Sequence, residues 1–564
     1  MPTHHSLRKS LGTVLWFLIL LFAQLSHADD DHTLRVFIFA GQSNMVGSDS
    51  HVTDIQRFPP FRGVEKQQKE IPFSYCIGRE EKRQSDGWEL LRPIGGIVGP
   101  ELTFAKKVRE RTGARIAIIK VAAGGTHLGG DWNPDEPSGF KMYPLALKWV
   151  RTALKQLDDE GIAYRLEGFV WHQGENDTFE EEYRKAYGRN LKNFLACWRR
   201  DLHAPDLPFW IGELCTKTIW GMDCRAIMYA IHEGQIEVTK EDSNATYVPT
   251  AHVGVEIGDE VGLHYHYGTL GQLEHGINYA GAYLRSIGKS ATTARPLKKW
   301  PLLKEDPIQL FILAGHRNME GERAFRSELR SLKGGRALEK DDHATPYRYE
   351  IGGGAKASDG WEPLGPAGLY ENFGPELSFG RTLDKKLKKP FAIAKFTHSG
   401  SQIIDWTPEG SMASSRHLYP RFIEFVRESV RSLEEKGHEV QIAGIFYHLG
   451  ENDMSFGPYR QEAVNRLASL IEQSRVDLKQ PTLRWFVSQQ PPTDHERLNE
   501  IDVVGAMRTL AKEDPHLQWI PVFDLPGREQ RIVITTPGIV ELGVRLAEAY
   551  LHELKQRPGK KSPR

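Results

Sequence analysis

Leu34-Arg35-Val36-Phe37-Ile38-Phe39-Ala40-Gly41-Gln42-Ser43-Asn44-Met45 is an apolar, β-rich run that breaks at a glycine and continues into polar residues. The same phrase returns as Gln309-Leu310-Phe311-Ile312-Leu313-Ala314-Gly315-His316-Arg317-Asn318-Met319, 274 positions later (315 minus 41). Self-similarity at a fixed offset marks a duplicated structural unit. The same shift, within two positions, carries Ser85-Asp86-Gly87-Trp88-Glu89 onto Ser358-Asp359-Gly360-Trp361-Glu362 and Gly99-Pro100-Glu101-Leu102 onto Gly374-Pro375-Glu376-Leu377. It also carries Asp131-Trp132 onto Asp405-Trp406, and His172-Gln173-Gly174-Glu175-Asn176-Asp177 onto His448-Leu449-Gly450-Glu451-Asn452-Asp453. The chain is therefore two tandem copies of one domain, expected over 29–287 and 307–555. The segment 288–306, where Lys, Pro and Thr interrupt the pattern, is expected to link them, and 556–564 forms a basic tail.

Working outward from the opening run, short β-rich stretches alternate with helical ones. In the first copy residues 36–40, 116–121, 168–172 and 209–213 read as strands. Between and after them, 102–111, 145–157, 183–198 and 269–284 carry the features of helices, the first three with apolar residues three and four apart on charged backgrounds. Such alternation implies an α/β fold, a parallel sheet with helices on both faces. In that architecture the ligand crevice lies at the carboxyl ends of the strands, and the run above delivers Ser43 to one of them.

The 564 residues, 40% hydrophobic and 26% charged, have the profile of a globular protein of more than one domain. With 73 basic against 74 acidic residues the net charge is −1, so bulk charge recruits neither nucleic acid nor an anionic membrane, and no polyanionic substrate is held that way. Residues 1–28 read as a secretory signal: Arg8 and Lys9 precede an apolar stretch from Leu15 to Leu25, and Ser26-His27-Ala28 offers small residues for cleavage, so the mature chain is expected to start near Asp29. An uncleaved anchor is the alternative, but the stretch is short of the ~20 residues that span a bilayer. After cleavage no membrane association is expected. Cys76, Cys197, Cys215 and Cys224 form no disulfide framework; Cys215 and Cys224 could pair across a short loop, one of three pairings that the four thiols allow. No Cys/His cluster has zinc spacing.

Ser43 alone would read as a helix cap. His264, in Gly262-Leu263-His264-Tyr265 before the final helix of the copy, could reach across to it and accept its proton. Donors for a developing oxyanion stand at neighbouring strand ends: the Ser43 N–H, the backbone of Gly124-Gly125, and the Gln173 side chain.

Gly41-Gln42-Ser43-Asn44-Met45, Gly124-Gly125-Thr126, Trp171-His172-Gln173-Gly174-Glu175 and Gly262-Leu263-His264-Tyr265 resemble the four blocks of the sialate O-acetylesterase and carbohydrate esterase six family, within the SGNH hydrolase superfamily. The likeness covers essentially all of the first copy and most of the second. It implies a flavodoxin-like three-layer sandwich and deacetylation of sugar hydroxyls, with an acetylated carbohydrate as substrate and no metal or other cofactor. Carried over, Ser43 is the nucleophile, His264 the general base, and Gln173 with Gly125 of the glycine pair the oxyanion hole.

Superfamily members place an aspartate three residues before the catalytic histidine, and this chain has Val261 there. Asp259, Glu260 or Glu175 could serve as the orienting acid, or the site could run as a Ser-His dyad. The second copy sorts these roles. It has Arg317 for Ser43, His316 for Gln42, Leu449 for Gln173, and no histidine in 531–537, yet it retains the Ser-Asp-Gly-Trp, Gly-Pro-Glu-Leu and Gly-Glu-Asn-Asp phrases. The retained phrases read as structural, and Glu175, whose counterpart Glu451 persists without a nucleophile, reads first as a supporting residue and second as a triad member. Trp88 and Trp361 read as core or turn residues, with sugar stacking the alternative. The expected protein is an exported esterase domain followed by a pseudoenzyme copy. The rival reading is an inert exported carbohydrate-binding or scaffolding protein on the same fold.

Overall fold

The computed structural model describes residues 33–80, 82–214, 218–219, 222–250, 252–253, 266–289, 295–303, 306–411, 416–455, 457–492, 500–528 and 533–556. The expected signal segment, Cys215, Asp259, Glu260, Val261, His264 and nearly all of the basic tail lie outside the described residues.

The first copy runs β1 (Leu34–Gly41), β2 (Gln68–Ile77), α1 (Glu101–Thr112), β3 (Ile116–Ala122), α2 (Met142–Asp159), β4 (Tyr164–His172), α3 (Glu181–Asp201), β5 (Phe209–Gly212), α4 (Arg225–Glu241), β6 (Ala245–Val248) and α5 (Gly268–Ser286). These strands pair in parallel in the order β6-β5-β4-β1-β3-β2, and two short antiparallel strands extend the β2 edge. The central strand is apolar throughout because both of its faces are covered. Val36, Ile38 and Ala40 enter one core, with α2, α3 and α4, while Phe37 and Phe39 enter the other, with α1 and α5. Alternate residues of one strand thus feed two cores, which gives three layers.

The second copy repeats the plan with β7 (Ile308–Gly315), β8 (Asp342–Ile351), α6 (Glu376–Lys386), β9 (Phe391–Thr397), α7 (Leu418–Glu434), β10 (Val440–His448), α8 (Gly457–Asp477), β11 (Trp485–Gln489), α9 (Val503–Glu513), β12 (Leu517–Pro521) and α10 (Thr536–Gln556). Its strand order is β12-β11-β10-β7-β9-β8. The four strands read from the first-copy sequence are present with longer or slightly shifted ends. The edge strands β2 and β6 are additional: one opens Gln68-Lys69-Glu70 and carries Pro72, the other is four residues long, so neither offers the apolar run of a central strand.

The phrases retained in both copies have structural partners. Glu101 meets Lys120 at 2.7 Å and Glu376 meets Lys395 at 2.8 Å, each pair fully buried. Ser85 Oγ accepts the Tyr75 N–H and Ser358 Oγ the Tyr349 N–H, both at 3.0 Å. Trp88 donates to the Ala153 carbonyl and Trp361 to Ser432 Oγ, so both indoles are held by helices.

The copies pack together. Phe58 lies 6.4 Å from Phe325, Phe61 lies 5.1 Å from Tyr370, and the Arg225 guanidinium sits 4.1 Å over the Tyr459 ring. Residues 295–303 of the connecting segment are seated on the second copy, with Trp300 Nε1 donating to His438 Nε2 at 2.7 Å and Arg295 paired with Asp341 and Glu362.

Candidate active site

Register places Gly41, Ala122 and His172 side by side at the carboxyl edge of the sheet. Gly41 has φ +152, and a Cβ there would fall 2.0 Å from the His172 carbonyl oxygen, so a side chain would push β1 and β4 apart. The chain then turns: Gln42 N–H donates to that carbonyl at 3.1 Å, and Ser43 opens a single helical turn, Ser43–Val46. Ser43 is partly exposed, between buried Gln42 and Asn44.

The next strand end delivers Gly124, and a Cβ built on it would lie 3.5 Å from Ser43 Cβ. Gly125 follows at φ +71. The backbone N–H groups of Ser43, Gly124 and Gly125 make no hydrogen bond among the described residues, so they are available to an oxygen bound there.

The third strand end corrects one expectation. Gln173 is fully buried, and its Nε2 donates to the Thr126 carbonyl at 3.0 Å and to Asp177 Oδ2 at 2.5 Å. A primary amide has two N–H donors. Both are engaged, so Gln173 has none for an oxyanion. It braces the loop that Asp177 closes by accepting the Leu128 and Gly129 N–H groups. Burial raises the Asp177 pKa against those donors.

The amide placed at the serine turn belongs to Asn176. Gln42, the residue before Ser43, donates from Nε2 to Asn176 Oδ1 at 3.1 Å, and its Oε1 accepts the Gly174 and Asn176 N–H groups at 3.0 and 3.4 Å. Asn176 is partly exposed, its orientation is fixed through Oδ1, and its Nδ2 makes no hydrogen bond among the described residues. The sequence reading passed over it because Asn452 repeats it in the second copy. There Nδ2 is occupied, donating to the Ser401 carbonyl at 3.0 Å.

Glu175 is buried beneath this turn. Its Oε1 accepts from Asn44 Nδ2 at 2.6 Å and stands 3.5 Å from His172 Nε2. Burial raises the pKa of the Glu175 carboxyl, but His172 and Asn44 more than offset it and hold the group below the usual range. The contact seen is with the neighbour of the serine. Asn44 also ties in the last helix: its Oδ1 accepts the Tyr267 N–H at 3.3 Å and its carbonyl accepts from Gln272 Nε2 at 2.9 Å. His264 lies outside the described residues, three positions before Tyr267 in the chain.

Beside Gly125 opens a cleft of about 360 Å³, lined by His127, Asp131, Phe140, Glu180 and Tyr183 among others. The Arg79 guanidinium covers the Phe140 ring at 4.9 Å. A hydrogen bond donated to the Asp131 carboxylate raises the His127 pKa against the effect of burial. Aromatic faces among hydroxyl, imidazole and carboxylate groups suit a polyhydroxylated ligand.

At the equivalent place in the second copy Arg317 is buried against Glu322 at 2.9 Å, and His316 sits between Ser401 and Tyr447. Burial pushes Glu451 up to about 8 and Glu320 up to about 7. The position that Ser43 holds in the first copy is filled by packed side chains.

The family described as carbohydrate esterase, sialic acid-specific acetylesterase, matches residues 33–285 and again 307–552. A probable carbohydrate esterase of Arabidopsis thaliana, At4g34215, is 26% identical over 185 residues, a match spanning 31% of this chain and 66%, just under two thirds, of that relative. The Arabidopsis thaliana AT4G34215 crystal structure aligns at 23% identity over 44% of this chain and 98% of its own, with a TM-score of 0.34. A carbohydrate acetylesterase of Xanthomonas citri aligns at 17% identity over 46% of this chain and 58% of its own, and NanS at 15% over 46% and 99%, both with a TM-score of 0.34. Through both of its halves, the chain belongs to the sialic acid-specific acetylesterase family of carbohydrate esterases.

Proposed function

We propose that the first copy is a serine-dependent carbohydrate O-acetylesterase and that the second copy is a pseudoenzyme. Family membership supports ester hydrolysis. The observation that carries the serine mechanism is the accessible Ser43 beside three unused backbone N–H groups and the unused Asn176 amide. In this mechanism His264 takes the Ser43 proton, and Oγ attacks the acetyl carbonyl. The N–H groups of Ser43, Gly124 and Gly125, with Asn176 Nδ2, hold the oxyanion. Collapse expels the sugar hydroxyl, protonated by His264, and water then releases acetate by the same path. The acid that orients His264 is Asp259, Glu260 or Glu175, whose Oε1 is held by Asn44 while its buried Oε2 accepts no hydrogen bond among the described residues. The acetylated sugar binds in the cleft beside Gly125. The leader 1–28 directs export to the periplasm or the extracellular space.

Acetate release from 4-nitrophenyl acetate and from acetylated xylan tests this reading. Both Ser43→Ala and His264→Ala are expected to abolish turnover in a folded protein. Folded wild type that releases no acetate would overturn it.

A further inference from the structure

The second copy reaches into the first at the end of β5. Arg416, 1% exposed, donates from Nε to Glu213 Oε1 at 3.3 Å and from Nη2 to the Leu214 carbonyl at 3.1 Å. Glu213 is equally buried. His232 on α4 stands close to it, with Nδ1 at 3.6 Å, and the Glu213 charge also acts on His252, whose pKa burial pushes down to about 4. His232 Nε2 donates to the Leu214 carbonyl at 2.6 Å, so Nδ1 is its unprotonated nitrogen, and burial pushes its pKa down to about 4. Arg416 therefore supplies positive charge to this buried carboxylate.

Glu213 in turn holds two chain segments that flank residues 254–265. Its Oε2 accepts the Thr250 N–H at 3.1 Å, and its carbonyl accepts the hydroxyls of Thr250 and Tyr267. Those hydroxyls bond each other at 2.9 Å, and the Tyr267 N–H reaches Asn44 Oδ1, next to Ser43. A second contact acts at the same place: the His252 ring lies 6.2 Å from the His398 ring, and a Cβ on Gly352 would come within 2.9 Å of His252.

The charges are not inherited from the duplicated plan. In strand register Ile211 pairs with Trp171 as Val487 pairs with Tyr447, which sets Gln489 opposite Glu213. Aligning Tyr143-Pro144 with Tyr419-Pro420 sets Phe140 opposite Arg416. Each copy carries the charge that its partner lacks, as a contact between copies requires.

We propose that Arg416 is a positioning residue for the Ser43 site, acting from the second copy through Glu213, Thr250, Tyr267 and Asn44. The proposal rests on the esterase reading for its kinetic consequence, but its structural consequence is independent of that reading. In the full chain, Arg416→Met is expected to lower kcat on 4-nitrophenyl acetate by about tenfold or more with KM little changed, because the reacting groups rather than the acetyl pocket are displaced. Arg416→Lys should recover part of the loss. The amides of Thr250 and Tyr267 should exchange hydrogen about tenfold faster, while those of β1 and β7 stay protected. Glu213→Gln with Arg416→Met removes the stranded carboxylate, so this double variant folds even where the single one does not, and it too should show both effects. Wild-type kcat and unchanged exchange in folded Arg416→Met, or full recovery of both in the double variant, would overturn positioning by Arg416. If the wild type hydrolyses no ester, the esterase reading fails and the exchange of the two amides alone decides this one.

Discussion

Asn176 and Asn452 occupy the same place in the two copies and are used differently. The first is held through Oδ1 by Gln42, the residue before Ser43, with Nδ2 making no hydrogen bond among the described residues, while the second donates Nδ2 to the Ser401 carbonyl. Internal comparison marks residues that differ between the copies, as Ser43 differs from Arg317. It misses one that stays and is put to another use. It also favoured Gln173, whose replacement by Leu449 reads as lost chemistry although Gln173 braces the loop through Asp177. Leu449 is buried at that position, and Asp453 still accepts the Ile403 N–H there. Gln173→Leu should therefore fold and keep most of its activity. Asn176→Ala should lose about 10²–10³ in kcat, the usual cost of removing one oxyanion donor. Steady-state kinetics on both variants decide the assignment, and an equal loss in both would reverse it.

At the scale of elements, legibility followed burial. Strands β1, β3, β4 and β5 were readable because helices cover both of their faces and leave apolar runs, and Ser43 and Gly124-Gly125 followed from strand ends already in place. The β2 edge carries charge toward its open end and hides in the sequence. The Gly-Pro-Glu-Leu phrase was legible as structural but not as an ion pair, since Lys120 lies inside an otherwise apolar strand, Ile116–Ala122. Burial lowers the Lys120 pKa, and Glu101 opposes that by charge and hydrogen bond. Glu101→Gln would strand the ammonium against the Val46 carbonyl, 3.3 Å away. Breaking one side of a buried pair costs about 3–5 kcal/mol. Urea unfolding should show that loss for Glu101→Gln and much less for Glu101→Leu with Lys120→Met, where no charge is left buried.

At the scale of the molecule, duplication has produced one body in which one copy carries the esterase chemistry proposed here and the other carries packing. In the second copy Arg317 and His316, with Glu320 and Glu451, are buried where the first copy leaves Ser43 partly exposed. Phe325 and Tyr370 of the second copy belong to the same apolar cluster as Phe58 and Phe61 of the first. Cutting the chain after residue 289 would expose that cluster and leave Glu213 without Arg416, so both apolar and ionic contributions to the first copy are lost together. The full chain is expected to unfold in one calorimetric transition, because neither copy keeps its contact face dry alone. The fragment 33–289 should melt at lower temperature or aggregate, and its residual hydrolysis of 4-nitrophenyl acetate should fall in kcat rather than KM. Two separate transitions in the full chain, with the first-copy transition unmoved in the fragment, would mean that the copies are independent domains and that the second contributes nothing to the fold of the first.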